Sequence, residues 1–359
     1  EHLQTISTPV GLLHVPGISD EQSRGHFSSQ CLVFCQGLPM SCSSYDYDHR
    51  VIVHLDHRKF KPRMPDRDGL IDSKEAKEAI AIAVKEVWRV HLEAQKSAMP
   101  PQAFIDRYWK AAYSAGLEEL MNDVPILPAC ELRIIDDTPT NEEDCSFYGI
   151  NKTPVTQAQV ESGEMVLCED IEHEDSVDGF AKLMFAKALG YLFTSHRLHE
   201  DHWAQPFIKD LDQEKVRISG KVIARDHFSG GFVSADVRVF ETLSVTIAGQ
   251  RVILDEPVSL GSHYSYRPSI LVPKGSTYAS GVLLQLSTYR GENDTFQQTD
   301  LDLDREALEN LLAILNGEEG VETLTKSLQS SGAQNKANLR NRSFLVKFDE
   351  KGRLSVEAA

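Results

Sequence analysis

Apolar positions first cluster in two short runs, QCLVFCQGLPM and RVIVHL, with polar SCSSYDYDH between them. Two such runs around a polar turn predict a β-hairpin over residues 30–61. A spacing of about 3.6 follows: Ala76, Ala79, Ile80, Ala83, Val84 and Val87 fall on one stripe, which predicts a helix. Asp72 and Glu75 have the spacing of a capping box at its start, and Met99-Pro100-Pro101 stops it. A second helix is expected from Pro101 to Met121, with Phe104, Ile105, Tyr108, Ala112 and Leu120 inward and Pro125 and Pro128 beyond its end. A strand is expected over Glu131 to Ile135. Residues 136–175, rich in Asp, Glu, Thr and Ser, read mainly as an exposed connection with a short strand near Met165 to Leu167.

The pattern then loses its polar face. Phe180, Leu183, Met184, Phe185, Leu189, Tyr191, Leu192 and Phe193 predict a helix from Asp175 or Ser176, apolar on most sides and therefore buried at the centre of an N-terminal domain. Beyond Gln213 the period becomes two. Val233, Ala235, Val237 and Val239 alternate with polar neighbours, as do Leu243, Val245 and Ile247, which predicts long antiparallel strands with one wet face. Further strands are expected at residues 215–224, 269–273 and 282–289, and a hairpin at 344–348 and 354–356 turned at Lys351-Gly352. Helices are expected near 304–316, where Leu308, Leu311, Leu312 and Leu315 share a face ahead of Gly317, and near 321–330. The expected fold class is α+β. A mixed α/β domain with a buried helix occupies residues 1–210, and a mainly antiparallel, β-rich domain with two helices occupies 211–359.

Composition narrows the function. A chain of 359 residues with 41% hydrophobic content can build two cores. No stretch approaches the roughly 18–20 consecutive apolar residues of a membrane-spanning helix. Lys plus Arg number 37 against 54 Asp plus Glu, and the resulting charge of −17 argues against broad nucleic-acid binding. Cys31 and Cys35 lie four positions apart on an expected strand, ~13 Å at the rise of a strand and beyond the ~7 Å reach of a disulfide. No Cys-x-x-Cys or zinc-finger spacing joins Cys42, Cys130, Cys145 or Cys168, so the thiols read as reduced and the compartment as cytoplasmic. Asn-x-Ser/Thr occurs at Asn151, Asn293 and Asn341 with no signal peptide alongside. The start at Glu1 is expected to reflect either a removed leader or a piece of something longer.

Four runs carry candidate chemistry. His54-Leu55-Asp56-His57 follows an apolar strand, where the metallo-β-lactamase fold places a His-x-His-x-Asp-His zinc site, but Ile52 stands at the first ligand position. Solvent exit from a strand accounts for the same residues. His196, His199, Glu200 and His202 close the buried helix; at about 100° per residue the three histidines fan over roughly 120°, and only His196 with Glu200 stacks. Histidine at a helix C-terminus is the plainer reading. Asp300, Asp302 and Asp304 resemble the start of a calcium loop, yet Arg305 and Leu311 occupy the positions that need Gly and an acid, so the acids read as complementing the N-terminus of the next helix. The fourth run is basic: Arg50, Arg58, Lys59, Lys61, Arg63 and Arg67, with Asp56 and Asp66 the acids among them. Concentrated cations in an acidic chain suggest contact with a phosphate or a partner, and a charged edge strand is the plain alternative. P-loop, Gly-x-Gly-x-x-Gly, Gly-x-Ser-x-Gly and His-Glu-x-x-His motifs are all missing from the sequence.

The order of strands, basic segment and amphipathic helix over residues 30–95 resembles the transducer region of GHKL ATPases, the class of gyrase, Hsp90 and the mismatch-repair ATPases. The resemblance implies that Lys59 or Lys61 meets the γ-phosphate of a nucleotide held by an upstream ATPase domain, with ATP and magnesium supplied there. Two features depart from the family: the mismatch-repair type carries its lysine strand after the helix, and the Asn-bearing helix and Asp-x-Gly-x-Gly turn are missing from this sequence. The leading expectation is a non-catalytic coupling or interaction portion of a larger intracellular protein. The alternative is a metal-dependent hydrolase, with zinc held by His54, Asp56 and His57 together with His196, His199 or Glu200. A structural protein that forms a homo-oligomer is the third.

Overall fold

The computed structural model describes residues 4–15, 32–40, 51–63, 69–136, 148–171, 176–194, 198–261, 268–276, 280–291, 295–317, 320–348 and 353–358. It is an α+β protein with a β-rich C-terminal region. The chain separates into two compact units, each assembled from three segments: 1–134, 149–170 and 190–210 form the first, and 135–148, 171–189 and 211–359 the second.

The first unit opens with β1 (Gln4–Thr8) and β2 (Gly11–Val15), an antiparallel pair. β3 (Leu32–Cys35), β4 (Leu38–Pro39) and β5 (Ile52–Leu55) complete a sheet of order β1-β2-β5-β3-β4. The hairpin expected over residues 30–61 is not formed, because β3 runs parallel to β5 and β5 pairs on its other side with β2. The hairpin present is β3–β4, whose two turn residues Gln36 and Gly37 both have positive φ (53° and 79°), the twist a two-residue turn requires. The expected turn at 41–50 lies outside the described residues.

Behind this sheet lies α1 (Ser73–Ala98), which buries Ala76, Ile80, Val84, Val87, Trp88 and Leu92 in one core with Leu13, Val33, Val53 and Leu55. Each large side chain so placed contributes on the order of 1.5–3 kcal/mol. The capping box is not made: Asp72 adopts a left-handed conformation (φ 58°), and its side chain makes no cap bond. α2 (Pro101–Ser114) stops earlier than its apolar pattern suggested. Gly116 turns left-handed (φ 62°) and the Leu117 N–H donates back to the Ala112 carbonyl at 2.8 Å, a C-terminal lock that leaves only a 3-10 turn at Glu118–Met121.

The connection after residue 136 holds more structure than its polar composition predicted. β6 (Ile126–Leu127) and β7 (Leu132–Ile135) precede it, and β8 (Tyr148–Ile150), β9 (Val155–Thr156), α3 (Gln157–Glu161) and β10 (Leu167–Cys168) lie within it. Thr156 and Gln159 form a reciprocal capping box for α3. With β11 (Leu192–Thr194) and β12 (Ile208–Lys209) the second sheet of this unit has the order β12-β10-β11-β7-β8.

In the second unit α4 (Gly179–Leu189) is the buried apolar helix. Its place differs from the expectation of an N-terminal core, since it packs on β16 (Leu243–Ile247), β17 (Gln250–Leu254) and β18 (Val258–Leu260), which follow β13 (Arg217–Ser219), β14 (Val222–Ser229) and β15 (Ser234–Phe240) in the chain. It is also shorter: Gly190 (φ 65°) ends it, and Leu192 and Phe193 belong to strand β11. Buried Lys182 on α4 is matched by Asp178 at 3.3 Å and by Asp212 at 3.5 Å.

β15 and β16 enter different sheets, β14-β15-β19-β18 and β13-β16-β17, and β19 (Ser269–Pro273) runs parallel to β15, although antiparallel strands were expected. The strand expected at 282–289 is helical up to Leu286. α5 (Ser280–Leu286) buries Val282, Leu283 and Leu286, a helical spacing that a short continuous apolar run conceals. α6 (Gln298–Leu315) starts six residues before the expected Asp304 and ends at Gly317 (φ 71°). Asp300 does lie in its first turn, but Asp304 points inward and is buried. α7 (Gly320–Ser330) follows, and the antiparallel pair β20 (Phe344–Phe348) and β21 (Leu354–Ala358) ends the chain, its turn residues Lys351 and Gly352 lying outside the described residues.

Candidate functional site

The basic segment leaves the sheet at β5, and the local structure follows from the turn before β2. Gly11 has φ 140°, and a Cβ there would strike the His54 carbonyl oxygen, so glycine lets β2 lie against β5. The register sets Leu12 and Phe34 directly beside His54, from β2 and β3 respectively. Alternation along the strands then puts Leu12, His14, Leu32, Phe34, Ile52 and His54 on the face away from the α1 core. On that face the His54 ring stacks on Phe34 (centroids 5.3 Å apart, 22°) and meets His14 edge-on at 5.2 Å. His14 Nδ1 is hydrogen-bonded to the Thr5 hydroxyl at 2.8 Å.

Beyond β5 the Asp56 carboxylate is used by its own turn. It accepts from the Arg58 backbone N–H at 3.0 Å and from Arg58 Nε at 3.4 Å, and that backbone bond holds its pKa below the usual carboxylate range. His57 is exposed. The ammonium of Lys59 donates to the Pro9 carbonyl at 2.8 Å, tying the turn after β5 to the turn between β1 and β2. Arg63 N–H donates to the Gly69 carbonyl and Lys61 C=O accepts from Ile71, so this backbone is fastened to the start of α1 while both side chains stay exposed. Arg50 and Arg67 lie outside the described residues.

The described part of the second histidine run is not helical. Residues 198–204 form turns after β11, so His199 and His202 do not cap the buried helix; His196, and with it the expected His196–Glu200 pair, lies outside the described residues. His199 Nδ1 accepts from Asn122 Nδ2 at 2.9 Å and from the Asp201 N–H at 3.2 Å. His202 Nδ1 accepts from the Ala204 N–H at 3.1 Å. In both rings Nδ1 is the acceptor of these bonds, so neither offers a free Nδ1 lone pair to act as a base. His202 is 1% exposed. Burial, assisted by the charge of His199, lowers its pKa to about 4, which keeps it neutral at pH 7.

Around it stand Trp109, 6.1 Å away and edge-on, and Trp203, whose Nε1 donates to the Val124 carbonyl at 2.7 Å. Tyr113 stacks on Trp109 at 4.7 Å, and burial with the nearby charges of Glu131 and Glu118 raises its phenol pKa. Among the described residues His202 Nε2, Trp109 Nε1 and Asn122 Oδ1 have no hydrogen-bond partner. Glu200 is exposed and takes no part. The helical reading of 195–203 hid this cluster, although Trp109 and Tyr113 are four residues apart on α2 and so necessarily share a face.

Among the described residues no group of three or more His, Cys, Asp or Glu side chains is placed to hold a metal ion. Asp56 is engaged by Arg58, His54 by Phe34 and His14, and His199 by Asn122. Among the described residues no helix is long and apolar enough to cross a membrane. No protein-family model matches the chain, and no curated protein matches it as a relative.

Proposed function

We propose that this chain is a non-catalytic coupling or interaction portion of a larger cytoplasmic protein, which meets its partner through the first unit. The observation that carries the reading is the open sheet face of β2, β5 and β3. Leu12, Leu32 and Phe34 with the edge-on His14–His54 pair form an adhesive apolar and aromatic surface, and Lys61 and Arg63 follow β5 in the chain. Aromatic rings with adjacent cations are the side chains that carry binding energy in protein interfaces. The cytoplasmic assignment is supported by Cys35 and Cys168, both buried as free thiols.

The resemblance to the GHKL transducer region supplies the class of partner: an ATPase domain that holds ATP and magnesium. Within that reading Lys61 is the better phosphate contact, because Lys59 is occupied by Pro9. The test is ATP turnover by the full-length parent protein carrying Lys61→Ala with Arg63→Ala, and separately Phe34→Ser. Turnover should fall severalfold in both while the far-ultraviolet circular dichroism stays unchanged. Unaltered turnover and partner binding in both variants would sink the reading.

A further inference from the structure

The C-terminal ribbon is amphipathic across both strands. Its register pairs Phe344 with Ala358, Val346 with Val356 and Phe348 with Leu354, so these six side chains make one apolar face. The other face carries Leu345, Lys347, Ser355 and Glu357, with Lys347 and Glu357 paired at 3.2 Å. The apolar face is open to solvent: Phe348 is 61%, Leu354 59% and Val356 54% exposed. A two-stranded ribbon is marginal in water unless a third strand or a packing surface supports it. Here β20 and β21 form a sheet of their own.

Charge identifies the surface that fits. Residues 331–343, which lead into β20, carry Lys336, Arg340 and Arg342 without one acid, in a chain whose acids outnumber its cations 54 to 37. An acidic apolar surface is the complement, and a second copy of the chain supplies it. α6 shows Asp302, Leu303, Glu306 and Glu309 on an exposed face, which joins the required charge to an apolar contact.

We propose that the β20–β21 ribbon docks its apolar face on the acidic α6 face of a second copy, and that two reciprocal docks close a two-fold dimer. The open apolar side chains of one ribbon amount to roughly 400 Å², so two docks bury on the order of 1,600 Å² counting both sides, the size of a specific interface.

Sedimentation equilibrium of the full chain tests this. A species of twice the 40.1 kDa monomer mass is expected, weakening as salt rises. Phe348→Asp with Val356→Asp should raise the dissociation constant at least tenfold. Arg340→Glu with Arg342→Glu should weaken the dimer too, and Glu306→Arg with Glu309→Arg should restore it in that background. All these positions are exposed, so circular dichroism should match the parent chain. A monomer at every concentration up to about 100 μM, or a dimer indifferent to the ribbon substitutions, overturns the proposal; so does a monomer whose ribbon resists proteolysis, which would mean docking within one chain.

Discussion

The Tyr289 hydroxyl donates to Oδ2 of Asp304 at 3.0 Å inside the core of the second unit. The same carboxylate accepts from the Gly231 N–H at 2.5 Å, the Phe232 N–H at 3.0 Å and the Val233 N–H at 3.4 Å, so a helix residue holds the turn between β14 and β15. Asp304 is 3% exposed, and a carboxylate buried to that degree is tolerated only when donors surround it. Gly230 has no room for a Cβ, which would overlap the carboxylate.

Asp304→Ala leaves those donors without an acceptor and should lower unfolding free energy by about 3 kcal/mol, whereas Tyr289→Phe should cost about 1 kcal/mol. Urea denaturation of the two variants checks both figures. If Asp304→Ala were neutral, the carboxylate would not be the anchor of this turn.

The helical stripe on α1 was legible because its spacing of about 3.6 residues survives from Ala76 to Leu92, and the stop at Met99-Pro100 is a local effect. Strand partners were not legible. A strand such as LVFC carries its face in its alternation but not the identity of its neighbour, so the parallel β3–β5 pair looked like a hairpin. Val282 to Leu286 failed for a related reason: a run with no polar break fits strand and helix alike. At the candidate site, the left-handed Gly190 ends the helix, and His199 and His202 then sit on turns where helical angles mean nothing. Asp304 was readable in hindsight of pattern, since it shares the stripe of Leu301, Leu308 and Leu312 and so had to face inward.

A stability change with pH follows from His202. Its ring is neutral in the fold down to about pH 4, while in the unfolded chain it takes a proton near its ordinary value of 6.5. Between those values the unfolded chain binds more protons, so the contribution is complete above pH 6.5 and is lost as pH falls toward 4. The loss amounts to roughly 3 kcal/mol at most. Thermal melts from pH 7.5 to 4.5 should show a steeper decline for the parent chain than for His202→Gln; equal slopes would refute the assignment.

Gly11→Ala tests the approach of β2 to β5. The substitution forces a side chain into a φ of 140° and against the His54 carbonyl. A loss of about 2–4 kcal/mol is expected, more than a glycine-to-alanine change costs in an unstrained turn. Tryptophan fluorescence in urea would report it through Trp88, which lies in the core shared by this sheet and α1.

Lys59 and Lys61 are two positions apart yet should behave oppositely. Lys59→Ala removes the bond to Pro9 and should cost a measurable fraction of 1 kcal/mol in stability, since its partner carbonyl is exposed and water replaces the lost donor. Lys61→Ala should leave the melting temperature unchanged, because its exposed ammonium bonds to none of the described residues, and should act only where a partner or phosphate is present. Parallel melts and ATP-turnover assays of the parent protein separate them. A destabilised Lys61→Ala, or a turnover defect confined to Lys59→Ala, would move the contact from the free lysine to the tethered one.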